Sequence, residues 1–254
     1  MINKENVIVV IPARLGGYRF PDKPLKKLLG KTMLEWVWNN ANGSKYADKV
    51  VIATPDNKII EEVKKFGAEA VLTKEDHLRG SERVYEAYES VKKTLKSDFE
   101  IIVNFQGDEP LVSSLYLDKA IEELSKNTDI DCVNLFKYLD YENSEKDQNE
   151  VKVVTDNFNN ALYFSRNPLP AKWLGDKKFN CKIEICVMPM WRKSLKKFVE
   201  LGCAYYENIE SVDMMRFLEN GMKVRMIECN ENVKSVDCYE DLVEAEKILK
   251  LKGF

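Results

Sequence analysis

Histidine is nearly absent from this 254-residue sequence: His77 is the only one. A Ser-His-Asp or Cys-His catalytic scheme would therefore have to run through that single residue. Cysteine occurs six times, at 132, 181, 186, 203, 229 and 238, but never as C-x-x-C. The inventory for a zinc site is missing, and free thiols in a reducing compartment are the expectation. Long apolar runs are missing too, and none approaches the roughly 18 residues needed to span a bilayer. The N-terminal stretch has no small-residue cleavage site behind a signal-type core. These absences point to a cytoplasmic protein with no membrane partner. Net charge is small at -3, which gives no electrostatic basis for a general nucleic-acid surface. Neither a Walker-type nor a GxGxxG phosphate motif is present.

What the sequence does contain is an ordinary balance of 44% apolar and 32% charged residues, enough for a sizeable core in one domain. Apolar runs at 7–11, 49–54, 69–72 and 100–105 read as strands. They alternate with helical spacing from about Thr32, over 57–66, 81–93 and 115–124. This βαβα order predicts an α/β fold with a mostly parallel central sheet and helices on both faces. The second half is less regular. Residues 140–150 read as an exposed polar connection, and 151–155 with 161–164 as a hairpin. Strands are predicted over 182–188 and 223–228, and helices over 191–201, 209–218 and 239–251. One domain over 1–254, with a small inserted sub-layer at about 140–205, fits this order.

Residues 1–31 carry seven Lys or Arg against two acids, although the whole chain is slightly acidic. Within them, Pro12-Ala13-Arg14-Leu15-Gly16-Gly17-Tyr18-Arg19-Phe20-Pro21-Asp22-Lys23 follows the first strand. Such a loop can grip a polyphosphate with backbone amides and cations, or simply be a solvated basic surface. Gln106-Gly107-Asp108-Glu109 follows the strand at 100–105, so both loops fall at the carboxyl edge, where ligands of parallel sheets bind. Asp108 and Asp237 could hold Mg2+ beside a phosphate, or each could cap the following helix. Gly80, Ser81 and Arg83 open a helix, and could hold a nucleotide or form a cap beside solvated arginines. Arg166, at the end of a strand, could bind a carboxylate bidentately or lie on the surface.

Taken together, these segments resemble the CMP-Kdo synthetase family, the 3-deoxy-manno-octulosonate cytidylyltransferases. The family's IPAR and R-x-P-x-K-P-L are matched by residues 11–14 and 19–25. Its H-x-x-G-[ST]-[DE]-R is matched by 77–83, and its QGDEPL by 106–111. Its VKVV, YFSR-x-P-x-P and VD-x-x-EDL are matched by 151–154, 163–170 and 236–242. The resemblance implies a Rossmann-like nucleotidyltransferase fold and attack of an acceptor hydroxyl on the α-phosphorus of CTP. Arg14, Lys23, Asp108 and Asp237 are the implied catalytic residues, with Asp108 and Asp237 on Mg2+. Ala13, Arg14, Gly16, Arg19 and Lys23, with Gly80, Ser81, Arg83 and Gln106, are the implied nucleotide contacts.

The acceptor half departs from the family. Its H-I-G-I-Y-G-Y is replaced by Lys182-Ile183-Glu184-Ile185-Cys186-Val187-Met188, and Asp213-Met214 stands in place of its Glu-Gln pair. Arg166, Lys182, Glu184, Glu210 and Asp213 are the expected acceptor contacts, for Kdo or a related acidic sugar used in surface glycan synthesis. Alternatives are a different acid, amino-substituted, phosphorylated or phosphonate, or a CTP-binding relative without turnover. A homodimer is expected from the resemblance and from apolar stretches within 140–205.

Overall fold

A computed structural model describes residues 6–16, 20–173, 175 and 178–254. The first half builds a parallel sheet. Strand β1 (Val7–Pro12) pairs with β4 (Ala47–Thr54) on one edge and β6 (Ile101–Phe105) on the other, and β5 (Glu69–Leu72) extends it beyond β4. A two-stranded ribbon, β2 (Lys27–Leu28) with β3 (Lys31–Thr32), follows the basic loop. The connecting helices are α1 (Met33–Asn42), α2 (Asn57–Lys64), α3 (Gly80–Leu95) and α4 (Ser114–Lys126). Helix α1 begins where the hydroxyl of Thr32 accepts from the amide of Glu35 at 3.1 Å.

Both faces of the sheet are covered, and the alternation along β1 shows why its run is uniformly apolar. Val7, Val9 and Ile11 join a core with residues of α1, α2 and α4, while Ile8 and Val10 join a second core with Val84, Ala87 and Tyr88 of α3. Each such buried aliphatic side chain contributes about 1.5–3 kcal/mol, so the period-2 pattern commits the strand to a two-faced position.

The second half joins the same sheet, which has ten strands among the described residues. Strand β7 (Cys132–Asp140), which sequence patterning overlooks, becomes its hub: it pairs with β10 (Asn180–Ile185), touches β11 (Val187–Trp191), and takes β12 (Val224–Glu228) in parallel. The pattern of β7 is mixed, buried throughout over its first five residues and alternating thereafter, so it matches no single period. The polar connection after it contains a short helix, α5 (Tyr141–Ser144). Strands β8 (Lys152–Thr155) and β9 (Ala161–Ser165) form the predicted hairpin and attach to β10.

Helices α6 (Arg192–Leu201), α7 (Tyr205–Glu210) and α8 (Asp213–Glu219) pack on one face, and α9 (Tyr239–Leu251) closes the chain on the other. The single helix expected over 209–218 is two, because Ser211 adopts a left-handed φ of 54° between them.

The single strand expected over 182–188 is also two, divided at Cys186. Its first part pairs with β8 and its second with β6, so β6 ends and β8 begins opposite the same break. The backbone groups freed there are satisfied. The carbonyl of Cys186 accepts from the amide of Gln106 at 3.1 Å, its own amide donates to Glu109 at 3.1 Å, and the amide of Val187 donates to Asn134 at 3.3 Å. The break opens the sheet beside the carboxyl ends of β1 and β6.

Candidate active site

A cavity of about 540 Å³ fills this opening. The loop after β1 enters it under tight control. The amide of Ala13 donates to the carbonyl of Ala53 and that of Leu15 to Asp56, both at 2.9 Å. Gly107 in the loop after β6 lets the two loops meet, because a Cβ there would lie 3.0 Å from the carbonyl oxygen of Pro12. The segment before α9 is bound to the same place, with the amide of Val236 donating to the carbonyl of Asp108 at 2.9 Å.

Those three segments bring Lys23, Asp108 and Asp237 together from widely separated parts of the chain. The Lys23 ammonium lies 2.8 Å from Asp108 and 3.2 Å from Asp237. Burial pulls its pKa down, but the two carboxylates outweigh that and raise it above the ordinary lysine value. The N-cap positions of α4 and α9 are held by Ser113 and Cys238. Helix α4 starts after Ser113, and the first amides before α9, those of Asp237 and Cys238, are capped by Asp241 at 2.9 and 3.0 Å.

Glu109 stands next to this cluster. It is 2% exposed, and one oxygen accepts from Ser235 at 2.7 Å as well as from Cys186, while Oε2 has no hydrogen-bond partner among the described residues. Burial, then the adjacent Asp108, push its pKa up. Glu109 thus ties the break in β10–β11 to the loop carrying Asp237, a positioning role that its place within a recognised motif does not reveal.

Ala13, Arg14, Gly16, Gly80, Arg83 and Gln106 line the cavity. Arg83 is not a solvated residue: it is buried, and its guanidinium donates to Thr73 at 2.6 Å and to the carbonyl of Lys74 at 2.8 Å. Arg19 lies outside the described residues. Ser81 corrects the expectation. It is fully buried and does not line the cavity, because its hydroxyl donates to Asp213 at 2.7 Å and accepts from Asn104 at 3.1 Å. It positions the start of α3 against α8 instead.

In the acceptor half, Arg166, Glu184 and Asp213 line the cavity, whereas Lys182 and Glu210 do not. Lys182 turns toward the hairpin, donating to Thr155 at 2.6 Å and Asn159 at 2.8 Å, with its ammonium 4.5 Å from the ring centre of Phe136. Glu210 accepts from Tyr163, Ser165 and the amide of Arg166 at 3.0–3.2 Å, so it holds the end of β9. Burial, then Asp213, push the Glu184 carboxyl up to about 8. Asp213 is raised as well, by burial.

Behind these groups lies a charge network that sequence reading missed. Arg216, fully buried, donates to both oxygens of Glu207 at 2.7 Å and to Glu82 at 3.0 Å, and Arg79 reaches Glu207 at 3.1 Å. Buried ions survive only when paired, and here pairing locks α7 and α8 to the start of α3. Lys137 and Lys234 likewise share Glu150, at 3.3 and 3.2 Å, along another wall. The only prior signal for either network is a charge inside an otherwise apolar period.

A family model described as Cytidylyltransferase matches residues 8–224. The 3-deoxy-manno-octulosonate cytidylyltransferase of Thermodesulfovibrio yellowstonii is 38% identical over 253 residues, covering 95% of this chain and 97% of the relative. The protein of the same name from Pseudomonas syringae pv. tomato is 37% identical over 253 residues, with 95% and 97% covered. A solved structure of CMP:2-keto-3-deoxy-manno-octonic acid synthetase complexed with CTP superposes with a TM-score of 0.85 at 27% identity, covering 97% of this chain and 99% of that chain.

Proposed function

The chain belongs to the cytidylyltransferase family, and from that premise we propose that it transfers CMP from CTP to Kdo or a related acidic sugar, releasing pyrophosphate, for surface glycan synthesis. The observation that carries this reading is the convergence of Lys23, Asp108 and Asp237 at the carboxyl edge of the sheet. Arg14 and Lys23 hold the triphosphate. The backbone around Ala13, Gly16 and Gly80, with Gln106, receives the rest of the nucleotide. The acceptor hydroxyl attacks the α-phosphorus, the new O–P bond forms as the bond to the β-phosphate oxygen breaks, and the hydroxyl proton is released.

Asp108 and Asp237 fit a magnesium ion. Both direct oxygens at one ammonium within 3.2 Å, and Mg2+ takes one or two carboxylates plus phosphate oxygens and water. Among the described residues no group of three or more His, Cys, Asp and Glu gathers as a metal cage. When bound, the ion would neutralise charge on the phosphates. Asp108 and Asp237 would hold the ion, and Lys23 the triphosphate.

No helix among the described residues is long and apolar enough to cross a membrane, in keeping with a cytoplasmic enzyme. Phe158, Leu162 and Trp173 are exposed apolar side chains within 140–205 and support a homodimer contact there, which light scattering at micromolar concentration tests. The reading itself is tested by pyrophosphate release from CTP with Kdo. Asp108→Asn and Asp237→Asn should each cut turnover strongly in a folded protein. Full activity in either, or equal turnover with UTP, refutes it.

A further inference from the structure

The acceptor half of the cavity holds a fixed cation and a buried acid that make different demands on a ligand. The Arg166 guanidinium donates to the backbone carbonyls of Glu210, Gln148, Asn149 and Ser211 at 2.8, 3.0, 3.4 and 3.1 Å. Carbonyls immobilise the group without neutralising it, and among the described residues no carboxylate pairs with it. Its charge is left for an anion in the cavity.

Glu184 makes the opposite demand. It is 8% exposed and lines the same cavity. Its Oε1 accepts from Asn134 at 2.7 Å, and its Oε2 has no protein donor among the described residues. Among the described residues no lysine or arginine pairs with it. Lys182, two positions earlier on the same strand, is committed to Thr155 and Asn159. Asp213, the next carboxyl, is committed to Ser81, with Arg79 3.9 Å away. A buried acid with an open oxygen facing a substrate cavity is stabilised only when a donor or cation arrives.

Resting on the function proposed above, we propose that the preferred acceptor is a zwitterionic sugar acid, whose carboxylate meets Arg166 and whose ammonium meets Glu184. With a plain hydroxyl opposite it, Glu184 keeps its proton, since burial and Asp213 raise its pKa to about 8. An ammonium ionises it and forms a charge-assisted hydrogen bond, about twice as strong as a neutral one. Arg166 and Glu109 also act on Glu184, and the buried thiols of Cys186 and Cys132 feel its charge.

Pyrophosphate release from CTP is measured with Kdo, with Kdo analogues in which one hydroxyl is replaced by an amine, and with their N-acetyl forms. Wild type is compared with Glu184→Gln, which keeps the shape and the acceptor for Asn134, and CTP affinity serves as the folding control. At least one amino analogue is expected to exceed both Kdo and its own N-acetyl form by about tenfold or more in kcat/KM. Glu184→Gln is expected to erase that preference through KM. Equal efficiency for Kdo and every amino analogue, or a preference that survives Glu184→Gln, overturns the inference and leaves the proposed function standing. No release with any of the sugars overturns the proposed function, and this inference with it. Should Glu184→Gln not fold, the wild-type comparison of each amine with its N-acetyl form decides alone.

Discussion

Replacing Lys23 by methionine keeps most of the side-chain volume and removes the charge between Asp108 and Asp237. The contacts are 2.8 and 3.2 Å, and the three side chains are 20–23% exposed. At an effective dielectric of about 20, the gross attraction is about 5–6 kcal/mol per contact. Desolvation of the ammonium cancels much of that, and the partial exposure screens it further. The variant also leaves two carboxylates facing each other. A net loss of about 2–3 kcal/mol is expected, or about 4–10 °C in Tm for a chain of this size. The assay is thermal denaturation in metal-free buffer and then with Mg2+. In the wild type a cation must displace the ammonium, whereas in Lys23→Met no ammonium competes for the two carboxylates. Mg2+ should therefore raise the Tm of the variant more than that of the wild type. Unchanged stability without metal would refute the bridging role of Lys23. A loss of stability that Mg2+ does not selectively repair would show that the two aspartates do not share an ion.

Three further outcomes follow from individual residues. The folded Glu184 carboxyl holds its proton to about 8, against 4.5 ordinarily, so between these values the native state binds more protons than the unfolded one. Stability then falls as pH rises through that window, by up to about 1.4 kcal/mol per unit for this group. Denaturant midpoints for Glu184→Gln should show a flatter slope there, and an unaltered slope would contradict the burial argument. Lys182→Ala removes bonds to Thr155 and Asn159 at 2.6 and 2.8 Å, and should cost about 1 kcal/mol of stability. Its acceptor kcat/KM should change less than about twofold, or about 0.4 kcal/mol in the transition state, since the ammonium does not line the cavity. A tenfold drop would put the ammonium back in the cavity. Gly107→Ala places a Cβ 3.0 Å from the Pro12 carbonyl, and should cost about 1–3 kcal/mol together with a lower kcat/KM for CTP. Wild-type behaviour would mean that the two loops have room to move apart.

Much of the first half was legible in the sequence because its signals are local. A five-residue apolar run such as 7–11 can satisfy two helix-covered faces only as a central strand, and Thr32 carries its own capping oxygen. The convergence of the loops after β1 and β6 also followed from strand polarity alone. Helix α9 and the hairpin of β8 with β9 stand where period and turn residues put them.

What the sequence alone left open was decided by pairing across long separations. Only the tertiary structure inserts β7 between β10 and β12, and only there does Cys186 become a break, with Glu109 and Asn134 satisfying the backbone it frees. Lys182 and Glu184 show the same division. Two residues apart on one strand, they share a face by local geometry, and local geometry cannot separate their roles. Lys182 is paired across from Val153 and Tyr138 and turns to the hairpin, whereas Glu184 sits at the edge of the break and meets the cavity. A residue's type and period are properties of its own segment, but which polar atoms remain open to a ligand depends on every segment that packs beside it.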